Sequence, residues 1–218
     1  FSTSAPMPDI PSVAPRMLSR VLRSPNRLIL RIYFDLEVSG ARNLPSDGPV
    51  VIAANHFSHL DPPLIAVNLD RYVRFLAVDE IFGQSRVFDL LLGFFGAISL
   101  DRDGYPVRAM REAISHLESG GVVGLFPEGR RVERWGEDPP ARGAAWLAWV
   151  TGAPLVPIAI VGTQHSLASG EEGFRRTAVK LWIEEPIWWH AYADEEDPVG
   201  AMMNDWYGAV EARVHHWA

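Results

Sequence analysis

The residues best equipped for chemistry fall into three short clusters: Asn55-His56 with Asp61, Asp101-Arg102, and Glu128-Gly129-Arg130-Arg131 with Arg142 further along. A neutral imidazole such as that of His56 is the side chain suited to take a proton near pH 7. A carboxylate on its other ring nitrogen sets the tautomer and stabilises the imidazolium once the proton has moved, and Asp61 stands five residues on. On a continuous helix that spacing turns two side chains about 140° apart. A meeting therefore requires the loop to fold back, with Asp61 near the start of the next helix. Guanidinium groups grip phosphate oxygens through forked hydrogen bonds, so Arg102, Arg130, Arg131 and Arg142 are candidates to hold an anionic substrate group.

Other chemistry fits less well. Asp61 ahead of Pro62-Pro63 also reads as a plain helix N-cap. His56, His59 and Asp61 match no familiar zinc spacing, and the chain has no cysteine to complete a metal site, form a disulfide or act as a thiolate. Ser58 lacks the Gly-x-Ser-x-Gly elbow of a nucleophilic serine. General-base chemistry without a metal is the leading reading.

The clusters need elements to position them, and each follows a stretch that reads as a strand. Val50 to Ala54 is an unbroken apolar run rich in β-branched residues, as is Val122 to Phe126; such runs mark strands buried on both faces. Pro154 to Val161 and Val179 to Ile183 read as a third and fourth buried strand. Phe34 to Val38, Tyr72 to Val78 and Ala97 to Leu100 read as further strands. Helices are predicted over residues 62–69, 85–92, 106–118, from Arg142-Gly143 to Thr151, and over about 198–216 at the C-terminus, which caps the sheet. Strands alternating with helices predict an α/β protein with a mainly parallel sheet, in which loops at the carboxyl ends of the strands carry the chemistry. Trp182, Trp188 and Trp189 suit either a lipid interface or a core beneath a loop.

Two hundred and eighteen residues suit one substantial domain, with 48% hydrophobic and 22% charged residues, an ordinary globular balance. The longest central apolar run, Val87 to Leu100, is 14 residues, contains Asp89, and falls short of a bilayer span. The first residue is Phe1, so residues 1–6 read as an expression remnant or a truncation scar. The net charge of −7 hides an asymmetry: Arg16, Arg20, Arg23, Arg27 and Arg31 against Asp9 alone give residues 1–33 a net +4, leaving −11 on the rest. An acidic body with a basic arm argues against nucleic acid. The arginines recur every three or four residues among Met17, Leu18, Val21, Leu22 and Leu28 to Ile32, broken at Ser24-Pro25-Asn26. That pattern predicts two short amphipathic helices able to dock on an anionic membrane surface, or alternatively a helix covering the domain's own core. Residues 1–33 are accordingly read as an arm and 34–218 as the main domain.

In order, these clusters resemble the four sequence blocks of the glycerolipid acyltransferases, the family of bacterial lysophosphatidate (1-acylglycerol-3-phosphate) acyltransferases. The Asn-His-x4-Asp block is similar to Asn55 to Asp61, the second to Gly96 to Arg102, the Phe-Pro-Glu-Gly-Thr-Arg block to Phe126 to Arg131, and the fourth to Ala153 to Ile160. Arg130 stands where the family usually has a small hydroxyl residue, and Arg142 where a lysine before Gly-Ala is common.

The resemblance implies a three-layer α/β/α sandwich with an apolar acyl tunnel, preceded by an amphipathic two-helix motif. It implies acyl transfer from an acyl thioester, on coenzyme A or acyl carrier protein as co-substrate and with no other cofactor, to a hydroxyl of a phosphate-bearing lipid. His56 and Asp61 become the catalytic pair. Asn55, Glu128, Gly129 and the four arginines become the substrate site, with Arg102 and Arg131 foremost and Glu128 either touching substrate or holding its loop. A peripheral place on the cytoplasmic face of the cell membrane follows. Lysophosphatidate is the favoured acceptor; the nearest alternative is the same chemistry on glycerol-3-phosphate, a lysophospholipid or a glycolipid, and the competing classes are a thioesterase and a non-catalytic lipid-binding module.

Overall fold

A computed structural model describes residue 28 and residues 31–78, 98–100, 107–166 and 175–216. The predicted two-helix arm, the predicted helix at 85–92 and Asp101-Arg102 lie outside these, apart from a few residues at the end of the arm. Among the described residues, seven strands form one sheet: β1 (Leu36–Ser39), β2 (Val50–Ala54), β3 (Val73–Val78), β4 (Ile98–Leu100), β5 (Val122–Leu125), β6 (Leu155–Val161) and β7 (Val179–Ile183). Their spatial order is β1-β7-β6-β2-β5-β3-β4, which puts β2 at the centre. All neighbouring pairs are parallel except β6 with β7.

Burial on both faces explains the unbroken apolar runs. Every residue of β2 is buried, with Val51 and Ala53 turned into one core and Val50, Ile52 and Ala54 into the other. The first core lies under three helices, α2 (Val107–Glu118), α3 (Gly143–Thr151) and α4 (Pro198–Val214), which contribute Ala113, Leu117, Ala145, Leu147, Met202 and Trp206. The second lies under α1 (Asp61–Asn68), through Leu64 and Ile65. The arrangement is the expected α/β sandwich. Trp206 of α4 reaches through the first core, its Nε1–H donating to Ala53 O at 2.9 Å.

Two details differ from the sequence reading. Residues 31–34 are helical, not the start of a strand; Phe34 is buried in the second core, and Asp35, at φ 44°, turns the chain into β1. β7 is not buried on both faces: Val179, Leu181 and Ile183 are buried while Lys180 and Trp182 are part-exposed. That alternation belongs to a strand with one covered face, and it accompanies the antiparallel pairing of β7 with β6.

The register places the site. Val50 pairs with Val122 and Ala53 with Leu125, so the loops leaving β2 and β5 emerge side by side at the carboxyl edge. β4 ends on the same edge, its Leu100 pairing with Val78.

Candidate active site

His56 and Asp61 meet. His56 Nδ1 lies 2.9 Å from Asp61 Oδ2, and the loop between them folds back as the spacing required. The same oxygen accepts hydrogen bonds from the backbone N–H groups of Phe57 and Ser58, both at 2.7 Å. Asp61 is therefore not the N-cap of α1: it is the first helical residue, Leu60 holds the cap position without a side-chain bond, and the carboxylate serves the loop behind it. Asp61 is completely buried, whereas the His56 side chain keeps 16% of its surface exposed. With Nδ1 turned to Asp61, Nε2 is the ring nitrogen that can receive a proton from a substrate.

The loop after β5 encloses this pair. Phe126 stacks on the His56 ring, with centroids 4.0 Å apart and planes 21° from parallel. Phe75 of β3 lies behind Phe126 at 5.5 Å. Gly124 makes that column possible, because a Cβ there would stand 2.5 Å from the Phe75 ring. A turn closed by Gly129 N–H on Phe126 O at 2.9 Å, with Gly129 at φ 68°, swings the chain over the imidazole. Two bonds then hold the His56 main chain: its N–H donates to Glu128 Oε1 at 3.3 Å, and its carbonyl accepts from Val132 N–H at 2.9 Å.

Burial dominates the electrostatics. It pushes the Glu128 carboxyl up to about 7, with backbone hydrogen bonds opposing and the Asp61 charge adding to the rise. It also lowers Arg131, which Asp61 partly offsets. His59, part-buried, is lowered by burial and by the charges of Arg131 and His56, while Asp61 raises it. Among the described residues, Arg131 is thus a guanidinium that the structure brings within electrostatic reach of Asp61.

The other expected substrate residues are placed differently. Asn55 is fully buried, and its amide is spent on β6: Nδ2 donates to Ile160 O at 2.7 Å, and Oδ1 accepts from Ile160 N–H at 2.8 Å. It extends the β2–β6 ladder past the last strand pair and so acts as a clamp, not a substrate ligand. Arg130 is exposed and engaged by Asp138 at 2.6 Å and Glu137 at 3.3 Å. Arg142 precedes α3 and is ion-paired with Asp197, which also accepts from Gly200 N–H at the start of α4. With Met110, Gly143, Trp146 and Val199, Arg142 lines a cavity of about 400 Å³ in the helical layer. Arg102 falls outside the described residues. Ser58 is buried, its hydroxyl donating to Ser166 O at 2.8 Å and accepting from Leu60 N–H, a loop brace.

Sequence reasoning missed the Phe75–Phe126–His56 column, since aromatic residues on two strands give no local sign that they will stack. It also passed over the charged pair Glu137-Asp138, which was legible as a partner for Arg130.

An α/β sandwich that carries an oriented, part-exposed imidazole on the carboxyl edge of its sheet has the layout of an enzyme. The family model described as Acyltransferase matches residues 35–161, and the chain belongs to that family. It is 33% identical over 163 residues to the 1-acyl-sn-glycerol-3-phosphate acyltransferase of Bacillus subtilis, covering 74% of this chain and 78% of that protein. It is 30% identical over 160 residues to the chloroplastic 1-acyl-sn-glycerol-3-phosphate acyltransferase BAT2 of Brassica napus; 72% of this chain is matched, but only 46% of the plant protein. The crystal structure of the 1-acyl-sn-glycerophosphate (LPA) acyltransferase PlsC from Thermotoga maritima superposes with a TM-score of 0.74 at 26% identity, covering 94% of this chain and 83% of that one.

Proposed function

We propose that this protein transfers a fatty acyl group from an acyl thioester, on coenzyme A or acyl carrier protein, to the free hydroxyl of lysophosphatidate, giving phosphatidate for phospholipid synthesis. The names of its relatives supply the acceptor, and the 2.9 Å contact between His56 Nδ1 and Asp61 Oδ2 beside a part-exposed ring carries the mechanism. His56 Nε2 takes the hydroxyl proton as the oxygen attacks the thioester carbonyl. Asp61 balances the imidazolium that results. Collapse of the tetrahedral adduct breaks the carbon–sulfur bond, and the thiolate leaves with the proton returned from Nε2, so no acyl-enzyme forms. General-base help of this kind is worth about 10² to 10⁴ in rate.

Arg131 is the first candidate for the acceptor phosphate because it is part-buried beside the dyad. Arg102 joins it on the motif alone. Among the described residues no helix is long and apolar enough to cross a membrane. Attachment through the basic arm at the cytoplasmic face is the corresponding proposal for location. The test is mass spectrometry of products after incubation with lysophosphatidate and mixed acyl-CoAs. Phosphatidate is expected, its formation lost in His56→Ala; free fatty acid released without acceptor would indicate a thioesterase instead.

A further inference from the structure

We propose that Glu128 is a positioning residue: it holds the main chain of His56, and through it the imidazole, and does not touch the acceptor. The inference rests on the general-base reading above. Both polar groups of the His56 backbone are bound by the single loop 126–132, the N–H to Glu128 Oε1 and the carbonyl to Val132 N–H. Phe126, two residues before Glu128, lies flat on the His56 ring. The loop therefore fixes the imidazole from three directions.

The Glu128 side chain points inward. Its second oxygen, Oε2, is buried with no hydrogen-bond partner among the described residues, and Asp61 is the charge close enough to act on it. Oε1 is taken up by the His56 N–H and Oε2 is enclosed by protein, so neither oxygen is turned outward to meet a lipid phosphate. Glu128 and Arg131 are then divided by task within one loop. The arginine is part-buried within electrostatic reach of Asp61, and the glutamate faces the protein. Because Val132 is next to Arg131, the segment that recognises the acceptor is the one that seats the base.

The test uses the full chain with lysophosphatidate and palmitoyl-CoA. Loss of a support that displaces a reacting group by about an ångström costs on the order of 10² in rate. Glu128→Ala is therefore expected to lower kcat about 100-fold while the KM for lysophosphatidate stays within threefold. Glu128→Gln, which keeps the acceptor oxygen for the His56 N–H, should recover at least tenfold of that loss. In protein labelled with ¹⁵N-histidine, the His56 Nδ1 resonance should move in Glu128→Ala and return towards its wild-type position in Glu128→Gln. A tenfold rise in acceptor KM in either variant, with kcat held, would overturn the assignment and make Glu128 a substrate ligand. A glutamine variant as damaged as the alanine one would overturn it too. If Glu128→Ala does not fold, the acceptor KM and the His56 resonance of Glu128→Gln decide alone. Failure of the underlying reading is separate: it would show as wild-type turnover in His56→Ala, while the resonance still reports whether Glu128 holds the ring.

Discussion

At the scale of single residues, the unequal use of the two Asp61 oxygens permits a clean experiment. Oδ2 accepts all three bonds, from His56, Phe57 and Ser58, while Oδ1 is buried without a partner among the described residues. Asparagine with its carbonyl oxygen at the Oδ2 position keeps every one of those bonds and the histidine tautomer, removes the charge, and puts an amide NH2 at the buried Oδ1 position. Asp61→Asn is therefore expected to fold at a cost of about 1 to 3 kcal/mol for the buried amide while kcat falls by about 10² to 10⁴, measured by steady-state kinetics beside a thermal melt. Glu128 gives a pH prediction of defined sign. Its carboxyl rises from 4.5 to about 7 on folding, so the folded state binds the extra proton and stability from this group is present below about 4.5 and lost as pH rises through about 7. At about 1.4 kcal/mol per pK unit, the full difference is on the order of 3 to 4 kcal/mol. Urea unfolding at pH 5 and pH 8 should show wild type losing ground to Glu128→Gln at the higher pH. His56 and Asp61 lie beside Glu128 in both proteins, so the difference between the two isolates the glutamate.

At the scale of elements, the parallel strands β2, β5 and β6 could be read from sequence because burial on two faces leaves unbroken apolar runs. The antiparallel turn of β7 could not, since a strand's direction is set by partners far along the chain; the alternation of Val179, Leu181 and Ile183 was its only local trace. The site divides in the same way. The His56–Asp61 pair was legible because five residues and two prolines dictate a short fold-back. Asn55 was not: a polar residue one step past a strand can turn outward or back into the sheet, and here the ladder to β6 decides. That clamp makes a prediction at this scale. Asn55→Ala leaves the Ile160 N–H and carbonyl buried and unpaired where β2 and β6 part, at about 1 to 3 kcal/mol per orphaned group. A loss of about 2 to 6 kcal/mol in urea unfolding is expected. A change below ~0.5 kcal/mol would mean that the amide does not tie the two strands.

For the whole molecule, charge separation is the feature that matters most. The body carries −11 and would be repelled by an anionic bilayer, whereas residues 1–33 carry +4. On the proposed reading the acceptor is a lipid, and the basic arm is then expected to supply the attraction to the bilayer that the acidic body opposes. Each arginine near an anionic surface is worth about 1 kcal/mol before screening, and deleting residues 1–27 removes Arg16, Arg20, Arg23 and Arg27 while sparing the buried Phe34. The expected outcome is a fall of about 10² to 10³ in partition onto vesicles containing phosphatidylglycerol. The intact chain should itself lose binding steeply as salt rises, because the Debye length shrinks to about 8 Å at physiological ionic strength. Turnover on lysophosphatidate dispersed in detergent should fall far less than turnover on vesicles, since the dyad and Arg131 belong to the body that remains. Equal loss in both assays would mean that the arm completes the active site instead of delivering it to the membrane, and equal vesicle binding by both proteins would place the membrane contact on the acidic domain.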